Sequence, residues 1–144
     1  MSGLNFLEIA LPNRASEIPR AHEALDQFAL RHALPPERFT RLHVALEEHL
    51  TNIISYGYEP HQAGTIRIRF VLNSTTVTVE IEDDARPFDP VQAREVDTSV
   101  PLEDKPIGGL GVLLIRKSVD ALSYQRVGEK NILTLTTHLN LPKK

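Results

Sequence analysis

From residue 65 to residue 83 the chain reads TIRIRFVLNSTTVTVEIED, and its apolar side chains fall on alternate positions. Ile66, Ile68, Phe70 and Leu72 share one parity, while Arg67 and Arg69 take the other. Beyond the Asn73-Ser74 turn, Val77, Val79 and Ile81 again share a face. A period of two belongs to a strand with one dry side and one wet side, so the stretch predicts a β-hairpin. The dry side has to be covered by another layer, which limits the architectures open to the chain.

The upstream residues have the helical period that such a cover requires. In ASEIPRAHEALDQFALRHAL, residues Ile18, Ala21, Leu25, Phe28 and Ala29 recur at helical spacing. Pro35-Pro36 ends that helix and begins the next, proline being suited to a first turn. The second helix, ERFTRLHVALEEHLTNIISYGY, carries Leu42, Ala45, Leu46, Leu50 and Ile53 on one face. FLEIAL near the N-terminus predicts a first strand. GGLGVLLIRKSVDAL predicts a third helix, apolar nearly all round, and SYQRVG with NILTLTTHL a closing hairpin. Residues 86–107 form a long, proline-rich, acidic loop of a kind that often carries function. The expectation is an α/β (α+β) two-layer sandwich, with a mainly antiparallel mixed sheet covered on one face by about three helices.

Composition removes several classes of function. The chain has 144 residues, the size of one domain, and no linker or repeat divides it, so residues 1–144 are expected to form a single domain. A net charge of -3 and scattered arginines give no basic stripe for nucleic acid. With no cysteine there is neither a disulfide frame nor a thiolate metal site. The six histidines show no HExxH or paired metal spacing, and there is no G-x-S-x-G elbow. No secretory leader or membrane-length apolar run is present, and a cytoplasmic location is expected.

Four places have the residue types for chemistry. Asp83 continues the parity of Val77, Val79 and Ile81, which sets a carboxylate at the end of the covered face, whereas Asp84 points the other way. In isolation the pair reads more simply as a turn aspartate or a helix cap. Glu48 and Asn52 are four apart, on one side of the second helix and at the edge of its apolar stripe, with Glu47 and Thr51 further out. A glutamate there can act as a base and an amide oxygen can ligate Mg²⁺, although such residues are more often surface polar groups. Gly108-Gly109-Leu110-Gly111 opens the third helix without a capping side chain, leaving amides bare for a phosphate or simply forming a hinge. The preceding VDTSVPLEDKPIGG suits a lid, with Lys105 near a phosphate or merely solvated.

The order of these features is more informative than any one of them. E-x-x-x-N on a helix, an aspartate turn ending a strand, a variable loop and a GGLG-opened helix together resemble the Bergerat-type ATP-binding fold of histidine kinases, gyrase, Hsp90 and MutL. LEEHLTNIISYGY, IEDDARPFDP and GGLGVLLIRKSVDALSYQRVGEKNILTLT are similar to the bacterial anti-sigma-factor serine/threonine kinases of the RsbW and SpoIIAB type, over essentially the full chain. The resemblance implies a transferase that binds ATP and Mg²⁺, with Glu48 as general base and Asn52 as magnesium ligand. It implies Asp83 as the adenine contact, Ala85 beside it, and Gly109, Leu110 and Gly111 at the phosphates, with Lys105 as a looser match. Its implied partners are a sigma factor and a STAS-type anti-sigma-factor antagonist, in a partner-switching circuit that regulates transcription, with a homodimer expected and no nucleic acid or membrane contact.

Two positions depart from the family's pattern. Its second box usually reads Asp-x-Gly, and here Ala85 stands in place of the glycine. An added methyl is tolerated at negative φ and costly at positive φ. Tyr56 stands where several relatives have histidine. Ala85 therefore leaves a second expectation open, a nucleotide-binding module that regulates a partner by docking and performs no transfer. A purely structural interaction domain is the third.

Overall fold

The computed structural model describes residues 5–91 and 109–139. Strand β1 (Phe6–Pro12) leads through a short 3-10 turn into helix α1 (Ile18–His32), followed by helix α2 (Pro36–Tyr56). The hairpin of β2 (Thr65–Asn73) and β3 (Thr76–Asp83) comes next, then helix α3 (Gly109–Ser118), and finally β4 (Ala121–Val127) and β5 (Lys130–His138). The sheet order is β1-β2-β3-β5-β4, and every pairing among the described strands is antiparallel. The mixed component expected from sequence is therefore not found among them.

The hairpin has the register that its alternation demands. Ile68 faces Ile81 and Phe70 faces Val79, all buried, while Arg67 and Arg69 lie opposite Glu82 and Glu80 on the wet side. Opposite charges across strands reinforce that register. β5 repeats the pattern, placing Asn131, Leu133, Leu135 and Thr137 on the covered face. Phe28 of α1 meets Phe70 of β2 with ring centroids 5.8 Å apart, joining the helix layer to the sheet.

The helices follow their proline and apolar signals. α2 begins with Pro36 at its first position, and buries Leu42, Ala45, Leu46, Leu50 and Ile53. α1 ends at Ala33, one of two non-glycine residues with positive φ among those described. The third helix is shorter and more amphipathic than expected. It stops at Ser118, and its continuation enters β4, where Ala121 pairs with Thr136. Val112 and Ile115 are buried against α2, but Leu114 is 43% exposed. A ten-residue helix at the edge of the layer has one face on α2, so its apolar excess cannot all be covered.

Candidate functional site

Where α2, the end of β3 and the start of β5 converge, they enclose a cavity of about 240 Å³, lined by His49, Asn52, Ile53, Asp83, Ala85 and Asn131 among others. Strand alternation carries Asp83 into it. The residue follows Val77, Val79 and Ile81 on the covered face and is only 2% exposed. Across the β3–β5 ladder its partner is Asn131, whose Nδ2 donates to Asp83 Oδ1 at 2.8 Å. The Ala85 amide donates to the same oxygen at 2.9 Å. Both hydrogen bonds fall on Oδ1, which leaves Oδ2 to accept from whatever enters the cavity. Burial pushes the Asp83 carboxyl above its ordinary range, against the pull of the Asn131 and Ala85 hydrogen bonds.

Asp84 has a different fate one residue later. Its Oδ1 accepts from the Tyr58 hydroxyl at 2.6 Å and from the Thr65 amide at 3.2 Å. Partial burial works to raise its carboxyl, but these hydrogen bonds outweigh it and hold the group below its usual range. Asp84 thus pins the turn after Tyr58 to the start of β2, and Asp83 lines the cavity.

The Ala85 methyl fits. Among the described non-glycine residues only Ala33 and His61 have positive φ, so Ala85 lies outside the left-handed region. Its side chain is buried against Gly57, where an added Cβ would lie 2.7 Å from the Ala85 methyl and 2.6 Å from the Ile53 carbonyl oxygen. The Arg86 amide donates to the Gly57 carbonyl at 3.0 Å, so the two segments touch through backbone. A glycine at 57 makes room for the alanine at 85.

Glu48 and Asn52 lie at the edge of the α2 stripe, both half-buried. Facing them is Gly111, in the first turn of α3. A Cβ built there would come within 2.9 Å of Glu48 Oε1 and 3.1 Å of Asn52 Nδ2. Asn52 Nδ2 is buried and has no hydrogen-bond partner among the described residues. The glutamate, the asparagine and the glycine-opened helix are therefore brought together. Gly109 and Leu110 are the first two residues of α3. Lys105 and Gly108 lie outside the described residues, and Tyr56 lines the cavity mouth.

Two residues of this site escaped the sequence reading. Asn131 is one; its signal is a polar residue that extends the Leu133, Leu135 parity in the way Asp83 extends that of Val79 and Ile81. His49 is the other. It sits within the apolar stripe of α2, is 3% exposed, and burial lowers its imidazole pKa from the ordinary 6.5 to about 4. Among the described residues no group of three or more metal-ligating side chains is found, and no helix is long and apolar enough to cross a membrane.

Comparison with known proteins decides the family. The histidine kinase-like ATPase domain model matches residues 11–137, which takes in every described element from the end of β1 to nearly the end of β5. The chain belongs to that family. It is 37% identical over 101 residues to the serine/threonine-protein kinase BtrW of Bordetella bronchiseptica, covering 70% of each chain. It is 26% identical to the serine-protein kinase RsbW of Oceanobacillus iheyensis, covering 83% of this chain and 78% of that one. An anti-sigma F factor of Anoxybacillus flavithermus is 23% identical over 108 residues, or 74% of each. A crystal structure of the RsbU and RsbW domains of a Mycobacterium tuberculosis protein superposes with a TM-score of 0.67 at 16% identity. That match covers 95% of this chain and 33% of the solved one, and it shows the shared fold.

Proposed function

We propose that this chain is an anti-sigma factor and protein serine/threonine kinase, which uses Mg-ATP to phosphorylate a STAS-type anti-sigma-factor antagonist. The observation that carries the reading is the approach of Gly111 to Glu48 and Asn52, at one side of a cavity that holds Asp83. The names of the relatives, serine/threonine kinases and an anti-sigma factor, support it.

The residues present suit the group that such a kinase needs. Asn52 offers a side-chain amide with an unpartnered buried nitrogen, and Gly111 leaves the space a methyl would fill. Bound here, Mg-ATP supplies the transferable phosphoryl group. Asp83 Oδ2 accepts a hydrogen bond from the amino group of adenine. The Asn52 amide oxygen would be a hard ligand for the cation, and the N-terminus of α3 would favour the negative charge of the phosphates. Glu48 takes the proton from the acceptor serine or threonine hydroxyl, and positioning with charge neutralisation supplies most of the acceleration.

The deciding experiment incubates purified protein, Mg-ATP and its STAS-type partner, and reads phosphate transfer by intact mass. Wild-type protein is expected to add one phosphate, and Glu48→Ala to add none while keeping its ATP-induced rise in melting temperature. Equal transfer by both proteins, or none by either, overturns the kinase reading. Nucleotide binding without transfer, with partner binding intact, selects the docking module instead. The reason for favouring that alternative was strain at Ala85, and Ala85 is not in the left-handed region.

A further inference from the structure

The described residues include one buried histidine whose ring is wholly without partners. His49 lies on α2, four residues after Ala45 and four before Ile53, so it takes a core position in the helix. Its Nδ1 and Nε2 are both buried, and neither has a hydrogen-bond partner among the described residues. A neutral imidazole carries one N–H and one lone pair whichever tautomer it adopts, so a donor and an acceptor are both left unpaired. Buried polar groups in native proteins nearly always find a partner in protein, water or ligand, and an exception calls for a reason. Of the other polar groups of this cavity, Asp83 and Asn131 hydrogen-bond each other, and Asn52 Nδ2 shares the unpartnered state. An aliphatic residue would serve the core at position 49 without that cost.

We propose that His49 reads the nucleobase, donating a hydrogen bond to a purine ring nitrogen next to the amino group that Asp83 accepts. His49 is in the lining of the same cavity as Asp83. A carboxylate only accepts, so Asp83 Oδ2 can select an N–H of the base but cannot serve a ring nitrogen. Adenine presents its amino group between two ring-nitrogen acceptors, N1 and N7. A carboxylate and an imidazole N–H from the lining of one cavity match such an edge, donor to acceptor and acceptor to donor. Burial supports this role by keeping the imidazole neutral at physiological pH, with its pKa lowered to about 4. The ring then offers a hydrogen bond without placing a second charge beside Asp83.

This inference rests on the nucleotide-binding reading and is separable from it. Calorimetric titration of wild type, His49→Leu and His49→Gln with ADP, 1-deaza-ADP and 7-deaza-ADP tests it. Wild type is expected to bind ADP about three- to tenfold more tightly than one of the two deaza analogues, the worth of one neutral hydrogen bond. His49→Leu should lose the same factor for ADP and show no further loss with that analogue. His49→Gln, which keeps a donor, should recover part of the affinity. Nucleotide-free His49→Leu should melt no lower than wild type, because the variant removes an unpaired polar group rather than a contact. Unchanged ADP affinity in both variants overturns the proposal, as does a loss in His49→Leu that stays the same for ADP and both analogues. A variant that melts lower and loses affinity equally for all three ligands marks His49 as a packing residue and also overturns it. Failure of wild type to bind ADP at all overturns the nucleotide reading itself.

Discussion

Two sets of histidines on the same helix pair show how surroundings assign work to one residue type. On the outer side of the α1–α2 pair, His22 and His43 stack with ring centroids 4.8 Å apart, and their Nδ1 atoms meet at 2.6 Å. The far nitrogen of His22 pairs with Glu47 at 2.7 Å and that of His43 with Asp26 at 2.9 Å. Every ring nitrogen in this chain of four side chains is occupied, so the cluster is closed on itself and clips one helix to the other. Six residues further along α2, His49 has no hydrogen-bond partner among the described residues and is part of the lining of a cavity. The outer pair has carboxylates at both ends, and neither nitrogen of the inner ring has a hydrogen-bond partner among the described residues. A histidine saturated by the protein holds structure, whereas one left unpaired beside a cavity is available to a ligand.

The largest expected effect separates the two environments by pH. His49 has a folded pKa of about 4 against 6.5 when unfolded. Between those values the unfolded chain binds the extra proton, so stability rises with pH across the window and is lost as pH falls through it. The full loss is about 3 kcal/mol at 1.36 kcal/mol per pKa unit. Urea titrations of wild type and His49→Leu at pH 7 and pH 4.5 check this, because their difference cancels other titrating groups, Asp83 included. A difference between the two proteins that does not change with pH would break the comparison.

Next in size is Asp83→Asn. Asparagine can keep Oδ1 for the Ala85 amide and Asn131, but it then turns an NH₂ toward the cavity where Oδ2 stood. A donor now faces the base amino group, and ATP affinity should fall about 100-fold with an unchanged circular dichroism spectrum. A smaller change, about tenfold, is expected in phosphate transfer for Gly111→Ala. The new methyl displaces the Glu48 carboxylate at the end of a flexible side chain, so the fold survives while the base moves. Alanine is also the better helix former, so the melting temperature should hold or rise. The smallest effect belongs to the outer cluster. His22→Ala opens a partly exposed clip and should cost about 1 kcal/mol of unfolding free energy without altering nucleotide affinity. A loss of affinity in that variant would mean that the two histidine regions are coupled.

What the sequence determined by itself was whatever a local period can carry. Alternation placed Asp83 on the covered face and Asp84 off it, and helical spacing put Glu48 and Asn52 side by side at the edge of a stripe. These depend on side-chain direction along a single element, which a period of 2 or 3.6 fixes before any tertiary contact forms. Long-range neighbours are not encoded that way. Asn131 reaches Asp83 only because β5 pairs with β3 in one register, and Gly111 reaches Glu48 only because α3 packs on α2. Ala85 depended on a backbone angle and on Gly57, nearly thirty residues earlier in the chain. His22 and His43, with no recognisable spacing, met only once α1 lay on α2. The sequence alone could thus identify the elements and the faces of their residues, while the fold decided which faces met, because packing between elements sets distances that no one-dimensional pattern contains.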